Sequence, residues 1–523
     1  MPDIKDILLK GNYITAEDLK ELKDSDPEEY FLSHGKITKD ILGQAKAEFY
    51  KLPYADLNTK FPSLEQVLLI PVALANSNRL VLFSQSENEV VVTTDDPERA
   101  NTALAQLKLL FPKKEIRFNY SLTEDIEACF VYYRKPLATR FSEIVATQTR
   151  IAPEIIEEII SDALVFKASD IHFEPQLADV VVRFRVDGIL HEAGRFSKEI
   201  YENILNRIKV LAHMRIDEHY SAQDGAIRFA REKSFIDVRV SIIPTLDGEK
   251  IAIRLLAEYV KGFTFSDLGV SDKDQKVFQD AIKNPFGMIL VTGPTGSGKT
   301  TTLYALLKML SQSSVNITTI EDPVEYRIPG VNSIQVNAQT NLTFAKGLRS
   351  IVRQDPDIIL VGEIRDLETA EIAVNAALTG HLLFSTFHAN DAATAIPRLL
   401  DMGIEPFLMA STLKLIIAQR LVRKICEHCR VSDGSDKKKS TQYKGKGCQN
   451  CNNTGYKGRT AIFEFIEVGE ALQELILKHP SSREIWEVAS KSGAGSLYED
   501  GLEKVKNGVT TLDELTRVAR PPK

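Results

Sequence analysis

The residues best suited to chemistry form a glycine-rich stretch in the second half of the chain. Gly293-Pro-Thr-Gly-Ser-Gly-Lys299-Thr300 fits the phosphate-binding loop pattern Gly-x4-Gly-Lys-Ser/Thr. An apolar run at 288–291 leads into this stretch, and 301–310 has the pattern of a helix. Glycines let backbone N–H groups point at phosphate oxygens, and the start of the helix adds its positive end. We therefore predict nucleotide binding, with Lys299 on the β- and γ-phosphates and the Thr300 hydroxyl on Mg²⁺. The predicted nucleotide-binding residues are Gly293, Pro294, Thr295, Gly296, Ser297, Gly298, Lys299, Thr300 and Thr301.

Two acidic clusters downstream of the loop narrow the range of reactions that the protein could catalyse. Asp357-Ile-Ile-Leu-Val-Gly-Glu363 is an apolar strand that ends in a carboxylate, and Glu321-Asp322-Pro-Val-Glu325 places three acids directly after another strand. Ligands of open α/β sheets bind at the carboxyl ends of the strands. We expect Glu363 to hold the Mg²⁺ shell and one of the three acids to orient the attacking water. The alternative for either cluster alone is a solvated acidic turn.

A short buried strand carries a histidine at each end, in Gly380-His381-Leu-Leu-Phe-Ser-Thr-Phe-His388. Either imidazole can sense or polarise the γ-phosphate of a bound nucleotide. The alternative for each is a structural histidine held by hydrogen bonds.

Arginines in the preceding segment are candidates of a different kind. In two alternating strands the apolar residues face one way, and Arg239 and Arg254 face the other, away from the core of their domain. Such an arginine can reach a phosphate bound by a neighbouring subunit, where an arginine finger is worth ~10³–10⁵ in rate. Surface salt bridges are the alternative, and Arg183, Arg185 and Arg228 share this ambiguity.

Four of the five cysteines form two CxxC pairs, Cys426-Glu-His-Cys429 and Cys448-Gln-Asn-Cys451. The 18 residues between the inner cysteines are within the spacing of zinc ribbons. Four thiolates suit tetrahedral Zn²⁺ with no open position, which predicts a structural site. Disulfides are the alternative, disfavoured in a reducing cytoplasm.

The amino-terminal half has the pattern of two small α+β domains, at 1–135 and 136–260. In the first, strands are predicted at 80–83 and 89–92, and a helix begins near Thr38. In the second, Pro153 opens a helix, and alternating strands follow. Nothing in the first domain carries chemistry.

The carboxyl-terminal half changes pattern after a predicted linker at 261–266. Continuous apolar strands alternate with helices, which indicates an α/β domain with a parallel sheet at 267–523. The metal subdomain, 424–460, lies within it. The predicted strands are 288–291, 315–320, 358–361 and 382–384.

Composition excludes several classes of protein. The 523 residues carry a net charge of −7, which argues against bulk nucleic-acid binding because such proteins have a basic footprint. No apolar run reaches the ~18 residues that span a bilayer, and the start of the chain lacks a signal-peptide core. We therefore expect a cytoplasmic protein.

Taken together, the motifs resemble the secretion (traffic) ATPases, the hexameric motors of type II secretion and type IV pilus assembly. The resemblance covers roughly 140–520 and includes Ser169-Asp-Ile-His-Phe-Glu174 and Arg183-Phe-Arg-Val-Asp-Gly188 upstream of the loop. It implies a RecA-like P-loop ATPase domain, preceded by an α+β, PAS-like middle domain and a small α+β N-terminal domain. The tetracysteine subdomain is similar to that of the assembly branch of the family.

The resemblance also implies roles residue by residue. They are the Walker A loop at 293–300, the general base at Glu325, the atypical Walker B carboxylate at Glu363, the His box at His381 and His388, and trans-acting arginine fingers at Arg239 and Arg254.

A member of this family would be a Mg²⁺-dependent ATPase that drives pilin extrusion from the cytoplasmic face of the inner membrane. The implied partners are further copies of the chain and an inner-membrane platform protein, docked through the N-terminal domain. A type II secretion pseudopilus is the alternative cargo, and a nucleic-acid motor or a noncatalytic ATP-binding scaffold are alternative classes. Some members bind a cyclic dinucleotide near the N-terminus, which this sequence leaves open.

Overall fold

The computed structural model describes residues 4–15, 18–19, 27–33, 36–57, 60, 62–130, 133, 152–230, 235–255, 266–433 and 442–521. These residues form two compact units, Met1–Gly262 and Phe263–Lys523. Of the predicted linker at 261–266, only Ser266 lies within the described residues, at the start of the short helix Ser266–Leu268.

The amino-terminal part of the first unit contains a three-stranded sheet in the order β1-β2-β3, formed by β1 (Leu80–Gln85), β2 (Glu89–Thr94) and β3 (Glu115–Tyr120). The two predicted strands are present as β1 and β2, which pair in antiparallel orientation, whereas β3 joins β2 in parallel. The Thr38 hydroxyl accepts the N–H of Ile41 and caps the next helix, which confirms the predicted helix start. The helices are Ile4–Lys10, Pro27–Ser33, Lys39–Phe49, Leu64–Val67, Val72–Asn78, Pro97–Thr102, Leu104–Leu110 and Thr123–Phe130.

The second part of this unit is built on a six-stranded antiparallel sheet in the order β6-β5-β4-β9-β8-β7. One face of the sheet packs on the helices Ala152–Val165 and Lys198–Leu211 and forms a single apolar core with them. Val180, Val182 and Phe184 are buried in that core, as their alternation predicts. The strands are β4 (Asp170–Pro175), β5 (Asp179–Val186), β6 (Ile189–Ser197), β7 (Gln223–Ala230), β8 (Phe235–Thr245) and β9 (Gly248–Leu255).

The second unit is organised by a seven-stranded sheet in the order β12-β11-β13-β14-β10-β15-β18. Its strands are β10 (Gly287–Thr292), β11 (Ile317–Glu321), β12 (Val331–Gln335), β13 (Ile358–Val361), β14 (Leu382–Phe387), β15 (Leu413–Ile425) and β18 (Tyr456–Glu467). The strands from β12 to β15 are parallel, and β18 joins β15 in antiparallel. Every residue of β10, β11, β13 and β14 is buried, which shows that both faces of the sheet are covered. The continuous apolar runs in the sequence predict this burial on both faces.

Helices of the second unit pack on this sheet, and the last four of them follow its final strand, β18, in the sequence. They are Asp272–Ile282, Lys299–Leu310, Phe344–Ile351, Leu367–Leu378, Ala392–Asp401, Pro406–Thr412, Glu470–Ile476, Ser482–Lys491, Leu497–Lys506 and Leu512–Val518. The strand predicted at 315–320 begins later, at Ile317, because the Val315 N–H bonds back to the Gln312 carbonyl and closes a turn. A small hairpin of β16 (Arg430–Asp433) and β17 (Gln442–Gly445) lies between β15 and β18.

Candidate active site and metal centre

The glycine-rich loop connects β10 to the helix Lys299–Leu310, as the sequence predicts, and the helix begins within the motif itself. Gly298 precedes the helix with φ +88°, a conformation that favours glycine. A Cβ on Gly293 would lie 2.5 Å from the carbonyl oxygen of Gln419 on β15. The loop can therefore pass this close to β15 only because glycine has no side chain.

Lys299 is nearly buried, and its ammonium donates to the carbonyl oxygens of Gly293 (2.9 Å) and Pro294 (3.2 Å). Burial lowers the pKa of this ammonium, and the negative charge of Glu363 opposes the shift. The lysine is thus held inside the loop, and Glu363, which follows β13, is close enough to affect the pKa of its ammonium.

Glu363 follows β13 at the carboxyl edge of the parallel sheet, the edge at which the loop also lies. Its side chain is mostly buried, and its two oxygens lie 2.6 Å from the guanidinium of Arg365 and 3.3 Å from Nε2 of His388. His388 directly follows β14 at the same edge. The fold therefore brings Lys299, Glu363 and His388 together from three segments of the chain.

Of the three acids predicted to follow the strand, Glu321 is the last residue of β11, and it is buried with its partners within the protein. Its carboxylate accepts the hydroxyl protons of Tyr304 (2.6 Å) and Thr319 (2.7 Å). Burial raises its pKa, although these two hydrogen bonds oppose the shift. Glu325 is partly exposed, and its backbone N–H donates to the Tyr304 hydroxyl at 3.2 Å. A water-orienting role therefore suits Glu325 better than Glu321.

His381 lies at the opposite edge of the sheet from the loop. In the parallel pairing of β10 with β14, Gly287 is opposite Leu382 and Thr292 is opposite Phe387, so His381 precedes the first pair whereas the loop follows the last. Its Nδ1 lies 2.9 Å from the carbonyl oxygen of Ala376, at the end of a helix. Within one subunit the structure does not bring His381 to the phosphate loop, and its contact matches the structural alternative.

Arg239 and Arg254 are direct cross-strand neighbours on β8 and β9 in the first unit. They lie on the face of the six-stranded sheet opposite the apolar core, because the flanking Val238, Val240 and Ile253 are buried in that core. Arg254 is more than half exposed and donates to Asp170 on β4 at 3.2 Å. The predicted pair of outward-facing arginines is therefore present as one cluster.

Sequence reasoning missed several polar residues that support this site. Gln419 is fully buried, accepts the Thr302 hydroxyl proton at 2.7 Å, and lies against the loop glycines from β15. Tyr304 is buried and donates its hydroxyl proton to Glu321, the last residue of β11. A polar residue inside the apolar stretch Leu413–Ile425 was the available signal for Gln419, but only tertiary structure pairs it with Thr302.

The four predicted metal ligands converge on one point between β15 and β18. The sulfur atoms of all four lie within 4.8 Å of one another, and three of the pairs are 3.7–3.8 Å apart. Backbone N–H groups of Cys448 (3.2 Å) and Gly455 (3.3 Å) donate to Cys451 Sγ, as thiolate ligands accept them in metal knuckles.

This sulfur geometry fits a tetrahedral ion. Zn–S bonds of about 2.3 Å place tetrahedral sulfur ligands roughly 3.8 Å apart. The four cysteines are not joined by disulfides, so the alternative of two disulfide bonds is not what the structure contains. The arrangement is compatible with zinc in a closed, four-ligand site.

Comparison with known families gives two matches along the chain. A model described as Type II/IV secretion system protein matches residues 146–517, which include the phosphate loop, both arginines and all four metal-site cysteines. A second model, the MshEN domain, matches residues 50–139. Among the residues that the structure describes, no helix is long and apolar enough to cross a membrane.

Curated relatives include proteins of two systems. The type IV pilus assembly ATPase PilB of Thermus thermophilus is 38% identical over 93% of this chain, which spans 58% of that relative's length. PilB of Myxococcus xanthus is 35% identical over 99% of this chain and 98% of the relative. The type II secretion system protein HxcR of Pseudomonas aeruginosa is 46% identical over 70% of this chain and 77% of the relative.

Solved structures share the fold of much of the chain. The pilus retraction motor PilT with bound ADP has a TM-score of 0.50 and 28% identity, covering 70% of this chain and 97% of PilT. The ATPase DotB of Legionella pneumophila has a TM-score of 0.55 and 22% identity, covering 71% of this chain and 96% of DotB, and indicates the fold alone.

Proposed function

Since the chain belongs to the family of type II secretion and type IV pilus assembly ATPases, we propose that it is a Mg²⁺-dependent, hexameric motor whose ATP hydrolysis powers type IV pilus assembly. Membership confirms the family predicted from the motifs. The observation that carries the catalytic part of the proposal is the meeting of Lys299, Glu363 and His388 at the edge of the sheet where the phosphate loop lies.

In this proposal the loop residues 293–301 bind the triphosphate through backbone N–H groups, and Lys299 contacts the β- and γ-phosphates. Thr300 and Glu363 would hold Mg²⁺, which neutralises charge that develops on the phosphate oxygens. Glu325 acts as the general base that orients and deprotonates the attacking water. His388 contacts Glu363 and directly follows β14. In this proposal its imidazole senses whether the γ-phosphate is present.

We assign the trans-acting arginine role to Arg239 and Arg254. Their neighbouring positions on one outward face support an action on a nucleotide bound by another subunit. Asp170 would orient Arg254 through its 3.2 Å hydrogen bond. His381 has a structural contact in this fold and is left out of the chemical step.

At the level of domains, we divide the chain into 1–135, 136–260 and 267–523, with a PAS-like interpretation of the middle domain. The N-terminal domain, which contains most of the MshEN match, is proposed to dock on an inner-membrane platform protein. The chain would then work peripherally, at the cytoplasmic face of that membrane. Hydrolysis would move the middle domain against the motor domain, and the cysteine subdomain at 424–460 would hold structural Zn²⁺.

The experiment that tests the catalytic assignment is the change Glu325→Gln, with ATP hydrolysis and nucleotide binding measured on the same preparation. Loss of a general base lowers turnover by ~10²–10⁴-fold, while the loop still binds ATP. Lys299→Ala is the contrasting variant, and it should lose ATP affinity as well as turnover. Native turnover in Glu325→Gln would refute Glu325 as the base.

Type II secretion remains the second candidate function, because the similarity to HxcR reaches 46% over most of both chains. The two functions differ in which machine the motor can drive. Expression in cells that lack their own pilus assembly ATPase should restore pili, whereas expression in cells that lack their own secretion ATPase should not restore secretion. Rescue of secretion alone would replace the pilus assignment with the secretion one.

A further inference from the structure

One tyrosine connects the helix that begins at the phosphate loop with the acidic segment from Glu321 to Glu325, which starts at the last residue of β11. Tyr304 is the sixth residue of the helix Lys299–Leu310, and 1% of its surface is exposed. Its hydroxyl donates to Glu321 at 2.6 Å and accepts the backbone N–H of Glu325 at 3.2 Å. The two ends of the acidic segment therefore meet at a single oxygen atom.

The direction of both hydrogen bonds follows from chemistry. Burial, together with the charge of Glu321, raises the pKa of the Tyr304 hydroxyl, so it keeps its proton at physiological pH. A tyrosine hydroxyl has one proton to donate and can also accept. Because that proton goes to Glu321, the hydroxyl accepts the N–H that Glu325 provides.

Further contacts prevent Tyr304 from turning away. Its ring packs edge-on against Tyr326 with 4.6 Å between ring centroids. Glu321, its acceptor, is fixed in turn by the Thr319 hydroxyl at 2.7 Å. The tyrosine is thus held at the ring and at the hydroxyl, and the helix that carries it starts with Lys299 and Thr300.

We propose that Tyr304 is a positioning residue. It sets the distance between the proposed base Glu325 and the phosphate-binding end of the helix Lys299–Leu310, which carries Tyr304. It does not touch the nucleotide. It fixes the backbone of Glu325, and so the carboxylate, relative to the loop. This inference rests on the proposed role of Glu325.

The test is Tyr304→Phe, which removes the hydroxyl and keeps the ring. A misplacement of about 1 Å in a catalytic group costs up to ~10²-fold in rate, so we expect kcat for ATP to fall 10- to 100-fold. KM and the affinity for a nonhydrolysable ATP analogue should change less than about threefold, because Lys299 and the loop are untouched. Tyr201→Phe is the matched control, since that buried hydroxyl also donates one hydrogen bond, to the Glu249 carbonyl, and should leave kcat unchanged.

Action through Glu325 is tested with Glu325→Asp, in which the carboxylate is already displaced. In that background Tyr304→Phe should lower kcat by less than threefold. The same 10- to 100-fold loss in both backgrounds would show that Tyr304 acts elsewhere and would overturn the proposal, as would an unchanged kcat in the single variant.

Failure of the proposed function gives a different pattern. If Glu325→Gln hydrolyses ATP at the native rate, the base assignment is wrong. If Glu325→Gln is inactive and Tyr304→Phe is native in kcat, only the positioning role is wrong.

If Tyr304→Phe does not fold, the inference is tested with a second variant, which combines Tyr304→Phe with Glu321→Met. It removes the buried carboxylate together with the Tyr304 hydroxyl, which avoids an unpaired buried charge. Thr319→Val is added to this variant, because the Thr319 hydroxyl also donates to Glu321 and would otherwise lose its acceptor. Glu325 still loses the acceptor of its N–H, so the same fall in kcat at constant KM is expected. Native kcat in this folded variant would refute the inference.

Discussion

At the scale of single residues, buried carboxylates show how strongly local partners control charge in the second unit. Glu464 on β18 is 5% exposed and accepts the backbone N–H groups of Ala392 (2.8 Å) and Leu497 (3.4 Å). Burial outweighs these bonds and raises its pKa from 4.5 to about 7. Glu514 is also buried, yet hydrogen bonds from Arg517 and Arg423 lower its pKa against the effect of burial.

These two acids predict opposite pH dependences of stability. The folded chain binds the Glu464 proton more tightly than the unfolded chain, so the stability that this group contributes is complete below pH 4.5 and is lost as pH rises towards about 7. Glu464→Gln should therefore gain stability relative to the native chain as pH rises from 5 to 8, by about 3 kcal/mol at most. The check is the difference in thermal unfolding temperature between variant and native protein across that range.

Glu514→Gln is the control, because its effect on stability should depend on pH in the opposite direction. The lowered pKa of Glu514 means that its contribution is present above its unfolded pKa and is lost as pH falls through the folded value. This variant should be destabilised at pH 7, and the deficit should shrink in acid. A pH-independent difference for Glu464→Gln would show that its carboxyl group titrates normally in the folded protein.

What the sequence could predict at this scale depends on how local the chemistry is. The glycine loop and the cysteine pairs are short patterns whose members lie within a few residues of one another, and the fold assembles both. Tyr304, Gln419 and Glu464 acquire their partners through tertiary structure; Thr302 and Gln419, for example, are 117 residues apart. No periodicity or spacing carries that information.

At the scale of elements, the parallel strands at the centre of the sheet were predictable because they are buried on both faces. The strands β12, β15 and β18 were not predicted. β12 is mostly exposed or half-buried at the edge, and β15 loses its continuous burial in its second half. β12 is an edge strand, and Gln419 and Glu464 interrupt the apolar stretches of β15 and β18, so none of the three has the uniform apolar run on which the prediction depends.

The metal subdomain gives the prediction that belongs to this scale. Its hairpin of β16 and β17 has four residues in each strand and few apolar side chains, so a metal ion bound by the four cysteines would substitute for a core. Because a structural Zn²⁺ contributes ~10–16 kcal/mol of apparent binding energy in small sites, complete chelation should unfold the segment from Cys426 to Cys451. Limited proteolysis before and after chelation, with zinc counted per chain, measures this.

A cysteine outside the site provides the control. Cys129 is buried in the first unit, so Cys129→Ala should keep one metal ion per chain, whereas Cys429→Ser should lose it. Unchanged protease resistance of the segment after full metal removal would contradict a structural role for the ion.

At the scale of the whole molecule, the proposed motor depends on residues that different subunits contribute. The sequence showed that Arg239 and Arg254 face away from their core, and the structure adds that they are cross-strand neighbours. Their action on another subunit's nucleotide is a property of an assembly. It therefore has to be tested on mixtures of subunits.

Mixing two inactive variants should restore ATP hydrolysis if the arginines act in trans. Where an Arg239→Ala subunit binds ATP and a Lys299→Ala neighbour supplies the arginine, the site has all its parts. Phosphate release from a 1:1 mixture should therefore exceed that of either variant alone, and its specific activity should rise with protein concentration. A mixture of Lys299→Ala with Glu325→Gln is the control and should stay inactive, since both changes damage the nucleotide-binding subunit. Equal inactivity in both mixtures would contradict action in trans and would place Arg239 in the subunit that binds the nucleotide.

The pairing of β15 with β18 also bears on how the chain reaches its native state. These two long strands are antiparallel neighbours, and the whole cysteine segment is the loop between them. The entropy of closing a loop grows only as the logarithm of its length, so shortening this loop changes the equilibrium little. Non-local pairings form slowly, however, because the loop must close before its contacts are made. A metal ion held by Cys426, Cys448 and Cys451 would bring the adjoining strand ends together early. Besides stabilising the cysteine segment, metal loading should therefore speed the pairing of β15 with β18, and the supply of metal during synthesis would affect the folding yield.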